Sequence, residues 1–422
     1  MIRNPARPLR LSSCGAAALL VFGLLSLLPA PCAVAADPAK SPLAATPPMG
    51  WNSWNTFGQQ INERVVREVA DAIVSLGLKD LGYQYVVIDD HWHGGRDAQG
   101  RLIPNPQKFP GGIKALAQYI HGKGLKFGIY SCAGDKTCGG QVGSYGHEAA
   151  DAATLAAWEV DFLKYDYCYA PDDLQEAIRR YTTMGQALQA TGRPILFSIC
   201  EWGPRSPWLW GRQAGGQMWR TSFDVGDMWD TPRNVNSCIG ILTAIDATMN
   251  HEKHAGPGGW NDPDMLVVGL GNKGNIKGGG CTSDEYQTQM SMWCMLASPL
   301  MIGCDIRAMD DNTRRILGNA EAIAVDQDPL GKQGYRVART GSTDVWLKPL
   351  VGGAKAVALL NRGEAPATIT ATWKNLDLKP GTAMVVRDLW AHQDKQAAVD
   401  SLSFEVAPHA TVLLKLTPPG KP

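Results

Sequence analysis

The chain has 422 residues, 45% of them hydrophobic, which is long enough for more than one domain and too apolar for global disorder. Its 40 Lys and Arg balance 40 Asp and Glu, so no basic field exists to recruit nucleic acid. Fourteen Trp are available for core packing, which uses most such residues, or for stacking on the flat face of a ligand.

Residues 1–36 read as a signal peptide. Arg3, Arg7 and Arg10 form a positive start, 16–28 an apolar centre, and Ala33-Val34-Ala35 a small-residue cleavage signal. The apolar centre is short for a membrane span and no other segment approaches that length, so the sequence predicts export to the periplasm or the extracellular space without membrane attachment. Eight cysteines then remain in a compartment that permits disulfides.

Across 46–328, eight short apolar runs follow one another at 49–54, 85–90, 127–131, 161–166, 195–201, 218–222, 260–266 and 299–305. Helical apolar spacing separates several of them, over 63–76, 112–121, 149–158, 174–188 and 236–249. Strands alternating with helices predict a parallel sheet, and eight such units predict a (β/α)8 TIM barrel, with a doubly wound open sheet as the alternative. From 332 to 418 the texture changes to short β-rich runs at 345–347, 356–360, 367–373, 383–387 and 411–416, broken by Gly, Pro and Asp. This predicts a C-terminal antiparallel β-sandwich.

The chemistry sits at the ends of the apolar runs. They terminate in Asp89-Asp90, Asp166, Glu201, Asp224 and, after Asp262-Pro263, Asp264. In a TIM barrel these ends converge on one face, where six carboxylates repel one another unless a function or partners hold them. Any one of them taken alone reads as a helix cap or a loop residue. Trp54, Trp92, Trp202 and Trp229 are interleaved with them, and carboxylates beside indoles suit a sugar. Glycoside cleavage needs one carboxyl to attack or to activate water and another to protonate the leaving oxygen. Lys164 precedes Asp166 by two, so both point to one side of a strand, and an ammonium there is expected to keep Asp166 ionised; a buried structural ion pair has the same spacing.

Several of these segments resemble glycoside hydrolase family 27, the α-galactosidases and α-N-acetylgalactosaminidases. They are Thr46-Pro47-Pro48-Met49-Gly50-Trp51-Asn52-Ser53-Trp54, Ile88-Asp89-Asp90, Gly128-Ile129-Tyr130-Ser131, Leu163-Lys164-Tyr165-Asp166, Cys200-Glu201-Trp202-Gly203 and Gly259-Trp260-Asn261-Asp262-Pro263-Asp264-Met265. The resemblance implies release of terminal α-linked galactose from oligosaccharides or polysaccharides by double displacement, with Asp166 as nucleophile and Asp224 as acid/base. It places Trp54, Asp89, Asp90, Tyr130, Cys138, Lys164, Glu201, Trp202, Arg220 and Asp264 against the sugar. It also implies a Cys138–Cys168 disulfide, with Cys238–Cys281 a weaker pairing and Cys294 and Cys304 buried thiols. No cofactor and no metal are implied.

The chain departs from the family pattern at Gln59 and His91, which stand where a disulfide joins two loops. Cys200 also lacks its usual partner, because Gly216 occupies that position. Other activities of the same family are the nearest alternatives: α-N-acetylgalactosaminidase, β-L-arabinopyranosidase or an isomalto-dextranase-like enzyme. Glu201 and the residues after it are expected to leave no room for an acetamido group. A non-catalytic carbohydrate-binding barrel is the alternative from another class, and it is disfavoured by the presence of both Asp166 and Asp224. Gly269-x-Gly271-x-x-Gly274 matches a dinucleotide fingerprint only formally, since no helix-forming sequence follows it. His251 and His254 are one residue too close for a zinc-protease motif.

Overall fold

A computed structural model of the chain describes residues 43–231 and 238–420. The expected signal peptide, and the start of the helix expected over 236–249, lie outside the described residues.

Eight parallel strands form the first sheet: β1 (Met49–Asn52), β2 (Tyr85–Val87), β3 (Lys126–Cys132), β4 (Phe162–Asp166), β5 (Leu196–Cys200), β6 (Met218–Arg220), β7 (Trp260–Asp262) and β8 (Leu300–Ile302). β1 to β7 pair in chain order, and β8 pairs with β1. The ring closes just past β7, where Leu266 N–H donates to Met301 O (2.8 Å) and Gly303 N–H donates to Leu266 O (3.0 Å). This is the curled parallel sheet of a TIM barrel, not the open sheet. The strands are buried on both faces, which is why they read as continuous apolar runs and not as alternation.

The surrounding helices begin at recognisable caps. After the short α1 (Trp54–Phe57), Asn62 caps α2 (Glu63–Ser75) by accepting from Val65 N–H, and Asp173 caps α5 (Leu174–Ala190) by accepting from Glu176 N–H. Between them lie α3 (Ile113–Gly122) and α4 (Glu148–Ala157). Between β5 and β6 the chain makes only a 3-10 turn, Pro207–Leu209, among its described helical segments. The helix expected over 236–249 is observed as α6 (Ile241–Thr248). A long helix that the apolar period did not reveal, α7 (Ser283–Leu296), starts at a full capping box of Thr282 and Glu285. It is buried nearly all round, because barrel lies on one side and the second domain on the other.

The C-terminal domain pairs a six-stranded antiparallel sheet with a two-stranded one. Its strands are β9 (Tyr335–Thr340), β10 (Thr343–Pro349), β11 (Lys355–Asn361), β12 (Ala367–Thr372), β13 (Ala383–Asp388), β14 (Gln393–Val399), β15 (Ser401–Val406) and β16 (Thr411–Thr417). Alternate residues of the central strands serve different cores. Val357 and Leu359 face the sandwich interior, whereas Ala356, Ala358 and Leu360 join the core shared with the barrel. Lys348 Nζ donates to Cys294 O of α7 (2.7 Å), and Arg362 grips Asp246 of α6 at 2.8 and 2.6 Å.

Candidate active site

The carboxyl ends of β2, β4, β5 and β6 frame a cavity of 290 Å³. That is at the small end for ligand sites, and suits one sugar ring entering end-on better than a chain lying across a groove. Trp54, Asp89, Asp90, Tyr130, Cys138, Lys164, Asp166, Trp202 and Asp224 line it, together with Cys168 and Phe223.

Asp166 ends β4 and is almost wholly buried. Tyr130, on the adjacent β3, donates its hydroxyl to Asp166 Oδ2 (2.9 Å), and Cys138 Sγ lies 3.2 Å from the same oxygen. The other oxygen, Oδ1, is buried and makes no close hydrogen bond among the described residues, while the nearby Cys200 thiol helps to hold the carboxylate ionised. Burial pushes the Asp166 pKa up to about 6; the Lys164 ammonium opposes this, and Asp89 adds to it. Burial raises the Tyr130 hydroxyl further still above its ordinary value, so it stays a donor at neutral pH.

Lys164 differs from its expected arrangement. It does point to the same side as Asp166, but its Nζ bonds Asp89 Oδ2 (2.8 Å), an oxygen that also accepts from Asn52 Nδ2 (2.8 Å). Burial acts to lower the Lys164 pKa, but Asp89 and Asp166 together outweigh it and hold the ammonium charged. Lys164 therefore acts on Asp166 through space, and burial wins. Asp90 is fixed by backbone: Gly139 N–H donates to Oδ2 and His91 N–H to Oδ1, both at 2.7 Å. The Gly139 contact belongs to the loop that the Cys138–Cys168 disulfide ties to the residues after β4.

Asp224 follows β6 on the more open side of the cavity. Its side chain is 42% exposed, and Arg220 Nη2 donates to its Oδ1 (3.0 Å). Arg220 Nη1 meets Asp264 (3.0 Å), whose Oδ2 accepts from Val225 N–H (2.7 Å). Arg220 and Asp264 thus lie behind the wall and brace Asp224; they do not line the cavity.

Glu201 does not line it either. Its carboxylate is turned inward onto Arg205 Nη1 (3.1 Å) and the backbone N–H groups of Gly203 (3.0 Å) and Arg205 (3.1 Å). The expected exclusion of an acetamido group by Glu201 therefore has no contact to act through. Its inward turn instead carries Trp202 at a φ of 63°, a strained conformation for a bulky residue, and presents the indole to the cavity.

Two of the four interleaved tryptophans are elsewhere. Trp92 is fully buried, donating Nε1–H to Tyr130 O (2.9 Å), and Trp229 stacks on His409 of the sandwich (4.7 Å). Three cations, Lys164, Arg205 and Arg220, pair four of the six carboxylates, Asp89, Glu201, Asp224 and Asp264, which offsets their mutual repulsion.

Among the remaining cysteines, Cys281 is a thiol, so the weaker pairing with Cys238 is not formed; Cys294 and Cys304 are buried thiols. Residues 269–274 form a looped segment with no helix until Ser283, and His251 stacks on Trp208 (3.7 Å). Residues that sequence reasoning did not single out are Asn52 and Phe223. Asn52 was legible only as part of a motif, and Phe223 carried no signal beyond its place before Asp224.

Comparisons with known proteins agree with this geometry. Residues 46–328 match the family described as Alpha galactosidase A, and residues 340–416 match its C-terminal β-sandwich domain. An α-galactosidase from Cyamopsis tetragonoloba is 48% identical over 383 residues, covering 90% of this chain and 88% of that one. Among solved structures, α-galactosidase I from Mortierella vinacea superposes with a TM-score of 0.85 at 37% identity, covering 90% of this chain and 99% of the other. The Saccharomyces cerevisiae α-galactosidase solved with raffinose superposes at 0.83 with 30% identity, covering 90% and 100%.

Proposed function

The chain belongs to the α-galactosidases of glycoside hydrolase family 27, retaining enzymes that release terminal α-linked galactose, and on that premise we propose that Asp166 is its nucleophile and Asp224 its acid/base. The observation that carries this is that two differently held carboxylates line one small cavity. Asp166 is buried, with Tyr130 donating to its Oδ2, whereas Asp224 stands half-exposed on the open side, held by Arg220. In the first step the Asp166 carboxylate attacks the anomeric carbon, and Asp224, braced by Arg220, protonates the departing oxygen. In the second, Asp224 takes a proton from water as that water displaces Asp166, and the two inversions restore the original configuration.

Asp89 and Asp90 are charged acceptors fixed by Lys164, Asn52, Gly139 and His91 N–H, so they report the positions of galactose hydroxyls with little freedom to adjust. A cavity of 290 Å³ suits a single terminal ring, which favours the non-reducing termini of oligosaccharides and polysaccharides as substrates. Residues 46–328 then form the catalytic domain and 332–418 the sandwich. Residues 1–36 direct export; among the described residues no helix is long and apolar enough to cross a membrane.

The test is stereochemical. An NMR time course of galactoside hydrolysis is expected to show the α-anomer of galactose first, and Asp166→Ala is expected to be inactive until azide or formate restores a slow reaction giving inverted product. A β-anomer formed first by the native enzyme overturns the mechanism.

A further inference from the structure

Phe223 is an apolar side chain in a position that packing does not explain. It is 52% exposed, the one exposed phenylalanine among the described residues, and it belongs to neither the barrel core nor the sandwich core. Its neighbours on either side are committed: Ser222 Oγ donates to Pro263 O (3.0 Å), and Asp224 is held by Arg220. The backbone at Phe223 is therefore fixed while its ring stands at the cavity edge.

The cavity has a floor and a mouth. Asp166, Asp89 and Asp90 are buried at the floor; Phe223 and Cys138 are exposed, and Asp224 and Trp202 are partly so. A galactose ring held by the floor carboxylates directs its glycosidic oxygen toward Asp224, and whatever is attached to that oxygen leaves past the mouth. Trp202 and Phe223 follow adjacent, hydrogen-bonded strands, β5 and β6, and so flank the same exit.

We propose that Phe223, together with Trp202, forms an aromatic platform for the leaving group and sets a preference for leaving groups with a flat apolar face, such as a second pyranose ring. The platform rests on Asp224 being the acid/base. Contact with a remote part of the substrate lowers the barrel's chemical barrier only if it is kept in the transition state, so the effect belongs in kcat/KM.

The experiment compares Phe223→Ala and Phe223→Tyr with the native enzyme on two substrates, methyl α-D-galactopyranoside and galactosyl-α-1,6-glucose. A methyl group is too small to use the platform. The ratio of kcat/KM for the disaccharide to that for the methyl glycoside is expected to fall about tenfold in Phe223→Ala, in line with truncation of an aromatic contact, and to recover in Phe223→Tyr. An unchanged ratio overturns the platform alone. A parallel fall on both substrates overturns it as well, by making Phe223 a prop for Asp224. A native enzyme that turned over neither substrate would overturn the assignment of Asp224 and the platform with it.

Discussion

Removing the Lys164 ammonium gives the sharpest test of how Asp166 is kept ready. Asp166 must be ionised to attack, and its pKa is pushed up to about 6 by burial against the opposing pull of Lys164. For the native enzyme, kcat/KM is therefore expected to fall as pH drops through about 6. Lys164→Met keeps the bulk and removes the charge, so the limb moves to higher pH. An opposite charge at close range lowers a carboxylate by roughly 1–3 units; because Lys164 bonds Asp89 and reaches Asp166 only through space, the low end, about one unit, applies. At pH 7 the ionised fraction of Asp166 then drops from about nine-tenths to about one-half, and the deficit closes again about two units higher. A loss of galactose affinity through Asp89 appears as a vertical offset, separable from the displaced limb. The assay is kcat/KM against pH on a 4-nitrophenyl α-galactoside, whose good leaving group makes little demand on the acid. A limb that stays at its native position, or moves to lower pH, refutes the electrostatic role of Lys164.

Three further outcomes follow from the same geometry. The raised Asp166 pKa means that its ionisation costs stability as pH climbs from the unfolded value through about 6, by order-of-magnitude 3 kcal/mol; Asp166→Asn should melt above the native protein at pH well over 6 and show no gain at about pH 4, as calorimetry at the two pH values checks. The Cys138–Cys168 bond anchors the loop whose Gly139 N–H holds Asp90; replacing both cysteines by Ala should cost about 2–4 kcal/mol and raise KM, and an unchanged KM would show that the loop keeps its place without the bond. Lys108 Nζ donates to the carbonyls of Gln59 (2.6 Å) and His91 (3.1 Å), tying together the two positions where the family pattern has a disulfide; Lys108→Met should cost about 1–3 kcal/mol in denaturant titrations and weaken substrate binding through the His91 end.

The barrel was legible because parallel strands buried on both faces leave unbroken apolar runs, each ending at a carboxylate where the chain emerges at the rim. Helix α7 was not, because it is enclosed on every side and has no polar stripe to set a period. The edge strand β14, exposed along most of its length, carries too few apolar residues to stand out, and β15 in the smaller sheet shows only the brief alternation Leu402, Phe404, Val406. At the site, Asp166 and Asp224 could be singled out from strand ends and family motifs. What a residue's position could not reveal was its partner. Glu201 turns inward because Arg205 sits four residues on, and Lys164 chooses Asp89 over Asp166 because β2 brings that carboxylate nearer. Phe223 was silent for a related reason, since exposure is a property of the folded surface and leaves no trace in a hydrophobic run.

The alternation along β11, with one set of side chains facing the sandwich interior and the other facing the barrel, bears on how such enzymes can be recombined. A sandwich lifted from a relative would bring its own outward row of side chains, and these must mesh with an α7 that they did not evolve against. Severing the chain after the helix Ala320–Asp326 would leave Thr288 of α7 without His409 and Thr411, Ser291 without the Trp390 indole, and the Cys294 carbonyl stripped of Lys348. The segment that can be exchanged as a working part is therefore α7 together with the sandwich, so the seam for a chimera runs through the barrel's own last turns and not along the boundary where the texture of the sequence changes.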